Sequence, residues 1–138
     1  MPNTAVVLKT THLTLNSVDI SDWCSKIELT TEVDEKDVTT FGSAGWMEVL
    51  GGLAKGTLAV TFKNDYVDNE LDEDLWAIFG TVVTFATRPT SASASTNNPS
   101  YSGSVLIKEL KPVNGSVGDV AEMDVSWPTS GAVSRATS

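Results

Sequence analysis

Few residues in this chain have the chemistry of a catalyst. His12 is the sole histidine and Cys24 the sole cysteine among 138 residues. His12 stands near many hydroxyls, and a serine–histidine–aspartate triad could be drawn with Asp19 or Asp22. A triad serine of that kind needs a strained, glycine-flanked turn, and no serine here has one. His12 therefore reads as a histidine on a surface strand. A reactive thiolate needs a cationic neighbour. Cys24 has only Lys26 close by and reads as buried beside Trp23. The acidic run from Asp65 to Asp74 lacks the central glycine and closing glutamate of a calcium loop. It reads instead as the negative start of a helix, where the helix dipole favours carboxylates. No Cys/His cluster suits zinc, and no glycine-rich loop precedes a helix to cradle phosphate. The expectation is a protein that is not an enzyme, with no cofactor and no metal.

Composition narrows the partners. There are 18 Asp and Glu against 9 Lys and Arg, a formal charge of −9. Stable binding to nucleic acid needs cations against phosphate, so this balance opposes it. It does not oppose closeness to DNA without adhesion. Met1-Pro2-Asn3-Thr4 has neither a basic region nor a long apolar run, so no secretory leader is expected. No segment reaches the length of a membrane span, and no membrane partner is expected. A lone cysteine cannot form an internal disulfide, which suits folding in a reducing cytoplasm. The length suits one compact domain over residues 1–138.

Those side chains must be positioned by strands. In residues 26–34, Lys26, Glu28, Thr30, Glu32 and Asp34 alternate with Ile27, Leu29, Thr31 and Val33. Residues 57–63 and 121–127 alternate in the same way, the latter setting Glu122, Asp124 and Ser126 against Met123, Val125 and Trp127. Each pattern predicts a strand with one wet face. Further strands are expected at residues 5–8, 12–15, 82–88 and 102–110. Asn16-Ser17-Val18-Asp19 and Asn114-Gly115 read as turns. Leu71, Leu75, Ile78 and Phe79 fall at helical spacing, predicting one helix over residues 69–79 with Trp76 at its edge. Gly80 would follow its last turn. Residues 90–100 read as a polar, mobile loop. The fold class is mainly β, a β-sandwich or barrel with one short flanking helix.

Residues 33–55 resist this scheme. They hold Asp34-Glu35-Lys36-Asp37, then Val38-Thr39-Thr40-Phe41-Gly42, then Gly45-Trp46-Met47-Glu48-Val49-Leu50-Gly51-Gly52-Leu53. A connection this long is usually functional or disordered. Phe41, Trp46, Met47, Val49, Leu50 and Leu53 are too apolar for disorder. They must bury against their own domain or against another subunit. Gly51-Gly52 and Gly56 read as turns bounding this loop.

In order, the chain runs Val18-Asp19-Ile20-Ser21-Asp22, Val38-Thr39-Thr40-Phe41-Gly42, Trp46-Met47-Glu48, Gly52-Leu53, Thr57-Leu58, Asp65-Tyr66, Leu75-Trp76 and Phe79-Gly80. It closes through Phe85, Arg88-Pro89-Thr90, Pro99, Tyr101-Ser102-Gly103 and Trp127-Pro128. This series resembles the tail tube, or major tail, proteins of long non-contractile-tailed bacteriophages, especially those of actinobacterial hosts. The resemblance covers nearly the whole chain and lies in the order of the pieces, none of which is diagnostic alone. It implies a virion structural protein, made in the host cytoplasm, that forms stacked hexameric rings around a lumen for DNA. Residues 33–55 would be the bridging loop, and residues 1–4 and 130–138 the arms. Phe41, Trp46, Met47, Val49, Leu50 and Leu53 would then meet another subunit. Glu28, Glu32, Glu122 and Asp124 become candidate lumen-facing acids, from which phosphate would be repelled. Tape measure, tail terminator and baseplate proteins would be its other partners. From the residues, a monomeric β-sandwich module for a carbohydrate or surface ligand remains a rival. So does a ring protein of a related bacterial secretion system. A hydrolase using His12 ranks last.

Overall fold

The computed structural model describes residues 4–138. Two antiparallel sheets enclose one core. The five-stranded sheet has the order β2-β1-β5-β6-β8, and the three-stranded sheet the order β3-β4-β7. Its strands are β1 (His12–Leu15), β2 (Val18–Asp19), β3 (Cys24–Asp37), β4 (Val49–Lys63), β5 (Val82–Arg88), β6 (Ser100–Leu106), β7 (Glu122–Pro128) and β8 (Ser134–Ala136). Asn16 and Ser17 both take positive φ, 53° and 66°. That is the two-residue turn whose twist suits a hairpin, and it folds β2 onto β1.

Alternation buries one face of each sheet. Leu13 and Leu15 of β1, Leu58, Val60 and Phe62 of β4, Phe85 of β5, and Met123, Val125 and Trp127 of β7 meet in the interior. Phe62 and Trp127 lie with ring centroids 6.1 Å apart. The Trp127 indole N–H donates to the Glu109 carbonyl at 2.9 Å, so its polar atom is buried with a partner. Helix α1 (Leu71–Ile78) adds Leu71 and Leu75 to this core. Asp72, Glu73 and Asp74 stand in its first turn, as the dipole favours. Gly80, at φ +83°, takes the left-handed conformation just past its end.

The structure departs from several expectations. Residues 5–8 form no strand, and Val6, Val7 and Leu8 are exposed. The strand expected at 102–110 is β6, shifted towards the N-terminus. Phe79 is not a core residue. It follows the last helical turn, where the backbone leaves helical geometry, and it is 48% exposed while stacking on Trp76 at 5.8 Å. Residues 90–100 are organised around buried Asn98, whose side-chain oxygen accepts from the Thr90 N–H and whose amide donates to the Ala92 carbonyl. Residues 134–136 fold back as β8 along β6, which ties the middle of the expected C-terminal arm to its own sheet. Of the expected N-terminal arm, residues 1–3 lie outside the described residues.

The largest difference concerns residues 33–55. Instead of an irregular loop they form the far half of a hairpin, because β3 and β4 stay paired as far as Asp37 and Val49. β7 ends at Pro128, opposite Thr57. Beyond that point the ribbon has two strands and no sheet beside it. It projects for about 25 Å at the usual strand rise. Both its faces meet solvent, so the alternation that marks a strand disappears from the sequence. Gly51, Gly52 and Gly56 accordingly lie inside β4. A Cβ on Gly56 would stand 3.0 Å from Thr129, whose side chain packs there and accepts the Gly56 N–H.

Candidate functional site

The groups that could do chemistry come together in an order unsuited to it. His12 Nε2 lies 3.4 Å from Asp19 Oδ2, and Ser21 Oγ donates to Asp19 Oδ1 at 2.6 Å. The carboxylate stands between serine and imidazole. A nucleophilic serine would need the imidazole in the middle. Ser21 Oγ also accepts the Leu13 N–H at 2.8 Å, so the group ties the turn after β2 to β1. The Ser21 hydroxyl, then the Ser21 amide, hold the Asp19 carboxyl below its usual range. Burial, with the Asp19 charge adding, pushes the Cys24 thiol up to about 12, so it stays protonated. In the acidic run, Asp65 accepts the Trp23 indole N–H at 3.0 Å, and Glu73 accepts the Asn69 N–H. Among the described residues, no three Asp, Glu, His or Cys converge as a cation site would.

The arm offers a different kind of site. Its tip, between β3 and β4, is built by short polar contacts. Asp37 Oδ1 accepts the Thr39 N–H at 2.9 Å, and Thr39 Oγ1 accepts the Glu48 N–H at 2.8 Å. Hydrogen bonds from Thr39, its hydroxyl first and its amide second, hold the Asp37 carboxyl below its usual range. Thr40 caps a single 3₁₀ turn, Phe41–Ser43, with its hydroxyl accepting the Gly42 N–H. Ser43 is the one buried residue of that turn, and its Oγ accepts the Thr40 N–H. This polar frame holds the apolar side chains outward. Phe41 is fully exposed, Trp46 is 78% exposed, and Met47, Val49, Leu50 and Leu53 are also exposed. All six predicted contact residues thus gather on one projection, on an ordered frame.

The four candidate acids also gather, on a single face. Glu28 of β3 and Ser126 of β7 both pair with Ala59 of β4, and Lys26 and Asp124 both pair with Thr61. Glu28, Glu122 and Asp124 therefore share the outward face of the three-stranded sheet, and Glu32, opposite Lys55, continues that side onto the two-stranded arm. Lysines stand among them. Lys26 lies 3.6 Å from Glu28, Lys55 3.6 Å from Glu32 and 3.7 Å from Asp34, and Lys63 2.6 Å from Glu122. Asp124 accepts a longer bond, 3.4 Å, from the Thr61 hydroxyl. The face is a mosaic with five carboxylates against three ammonium groups, not a bare negative wall.

One feature escaped the sequence reading. At the opposite end of β4, the segment between β6 and β7 exposes Val113, Val117 and Val120, beside Tyr66 and Val67. The only hint was isolated valines among glycine and polar residues, without a period.

No protein-family model and no curated protein matches this chain. Solved structures do. A chain in the virion of a native gene transfer agent particle superposes with a TM-score of 0.65 at 21% identity, over 82% of this chain and 84% of that one. A chain in the tail of an empty gene transfer agent particle, refined with helical and C6 symmetry, gives 0.66 at 21% identity over 81% of each. The similarity is one of fold: two antiparallel sheets with one flanking helix, as found in a virion tail.

Proposed function

We propose that this chain is the structural subunit of a phage-type tail tube, a virion component without catalytic activity. Copies would form hexameric rings that stack around a lumen through which DNA passes. The observation that carries this reading is the arm: six large apolar side chains held in water on an ordered projection that touches nothing of its own core. Isolated exposed apolar residues are ordinary, but a gathered and rigid set marks an interaction surface. The fold shared with chains of a virion and its tail supports the same reading.

In that assembly the outward face of β3, β4 and β7 lines the lumen. Outer strands β3 and β7 leave two free edges for neighbours in the ring, which closure would satisfy. The mosaic of Glu28, Glu32, Glu122 and Asp124 with lysines keeps a small excess of negative charge. Lys26, Lys55 and Lys63 are each ion-paired on this face. Among the described residues this leaves phosphate only Lys36, farther out on the arm, as a free cation on that side, and passage of DNA leaves few lasting contacts. Ion pairing within the face also limits repulsion between like rings of charge. Tape measure, terminator and baseplate proteins would contact the ends and interior of the tube.

Electron microscopy of the purified chain at rising concentration tests this. Rings or tubes with a central hole are expected. Uniform small particles that bind a glycan column would replace the tube with a monomeric binding module.

A further inference from the structure

Among the described residues, sulfur occurs in three environments, at Cys24, Met47 and Met123. Met123 of β7 is 2% exposed, inside the core. Cys24 is half-buried at the start of β3, and its Sγ donates to the Ile20 carbonyl at 3.2 Å. Burial first, and the Asp19 charge second, keep that thiol protonated, and a protonated thiol is a poor nucleophile. Met47 is different. It is 67% exposed on the arm tip. There it lines an open groove of about 770 Å³ together with Phe41, Trp46, Thr39 and Thr40.

A thioether needs no ionisation to react with a peroxide. The sulfur lone pair attacks one peroxide oxygen, and the O–O bond breaks. That oxygen stays on sulfur, and the other leaves as water. Sulfur is oxidised by loss of its electron pair, and the peroxide is reduced by gaining it. Susceptibility then follows exposure, which puts Met47 ahead of Met123 and Cys24. The product, a sulfoxide, is polar and chiral where the thioether was flexible and apolar. The frame of the tip does not involve the Met47 side chain. It is held by Asp37, Thr39, Thr40, Ser43 and the Glu48 backbone. Oxidation therefore changes the surface the tip presents and leaves its shape.

We infer that Met47 is an oxidation site through which a peroxide controls the arm tip: the thioether form associates, and the sulfoxide form associates weakly. The cause is desolvation. A sulfoxide oxygen taken out of water into an apolar contact loses its hydrogen bonds. The change is reversible, because methionine sulfoxide is a substrate for reductases specific to each epimer. This control rests on the tube reading and adds to it a chemical condition on assembly.

Graded hydrogen peroxide on the free, full-length chain tests the control. Peptide mass spectrometry should find an added oxygen at Met47 before any at Met123 or Cys24. Denaturant unfolding should stay unchanged, while the critical concentration for assembly rises about tenfold or more. Methionine sulfoxide reductases should then return that concentration to its starting value. Met47→Leu, whatever its own critical concentration, should show the same value before and after peroxide. An equal rise in Met47→Leu would place the sensitive group elsewhere and overturn the proposal. So would oxygen appearing first at Met123 or Cys24, or a rise that the reductases fail to reverse. Complete conversion of Met47 with unaltered assembly would overturn the control and leave the tube reading standing. Untreated protein that forms no tubes at any concentration would remove the tube reading and the control with it.

Discussion

The two halves of β4 share one backbone ladder and differ in what lies beneath them. From Gly56 to Phe62 every second residue is fully buried, while from Val49 to Lys55 all seven residues are exposed. Yet both halves are apolar. The near half places Leu58, Val60 and Phe62 on the core, and the far half holds Val49, Leu50 and Leu53 in water. Hydrogen bonding to β3 is enough to keep the strand extended in both. A two-stranded ribbon alone is marginally stable, so the far half depends on the sheet it grows from. Apolar content therefore serves folding in one half and is left over for association in the other.

Substitutions on either side of that divide should separate cleanly. The largest effect belongs to the core half. Trp127→Ala or Phe62→Ala should lower monomer stability by about 3–5 kcal/mol in denaturant unfolding, because both rings are fully buried. A smaller loss would mean the two sheets are less tightly joined than their packing suggests. Next comes Trp46→Ala on the arm. It should leave the monomer's unfolding unchanged and weaken assembly by about 2 kcal/mol per contact, read from the critical concentration. A fall in monomer stability instead would erase the distinction between the halves. Phe79→Ala lies between the two regions. Half exposed and stacked on Trp76, it should cost about 1 kcal/mol, the worth of an aromatic pair, and not the loss of a core ring.

The smallest effect is set by pH at the tip. The folded Asp37 carboxyl titrates below its unfolded value, so its contribution is complete above the unfolded pKa and is lost as pH falls through the folded one. Amide exchange of Thr39 should therefore quicken on acidification before the core strands respond. Asp37→Asn should remove that pH dependence and leave core exchange unaltered. Exchange at Thr39 that tracks global unfolding would show the tip and core to be one cooperative unit.

Strands over the core were legible because alternation records a buried face. The residues read as 12–15 and 82–88 form β1 and β5 with those bounds, and the reading of 121–127 is offset by one residue from β7. The arm was not legible as strand, because neither of its faces is buried and its glycines suggested turns. Residues 5–8 misled in the opposite way: an apolar run with no strand to pair with. Phe79 kept helical spacing past the point where the helix stops. At the site, Phe41 and Trp46 stood out because no strand or helix pattern absorbed them. The far valines lacked even that signal, and only the pairing of Lys63 with Glu122 brings them to one pole.

The pairing of the arm slips once. Val33 faces Ala54, but Glu35 faces Gly51, so Gly52 and Leu53 together oppose Asp34. This bulge changes which parity of β4 looks to which side. Lys55 and Thr57 share the side of Glu32 and Thr30, while farther out it is Leu50, opposite Lys36, that takes that side. Arm length is thus governed by a rule of even numbers. Loss or gain of one residue at Gly52 would turn Leu50 and Val49 to opposite sides while leaving every side chain present. Variation that preserves assembly should therefore arrive in matched pairs across the two strands, or not in this stretch.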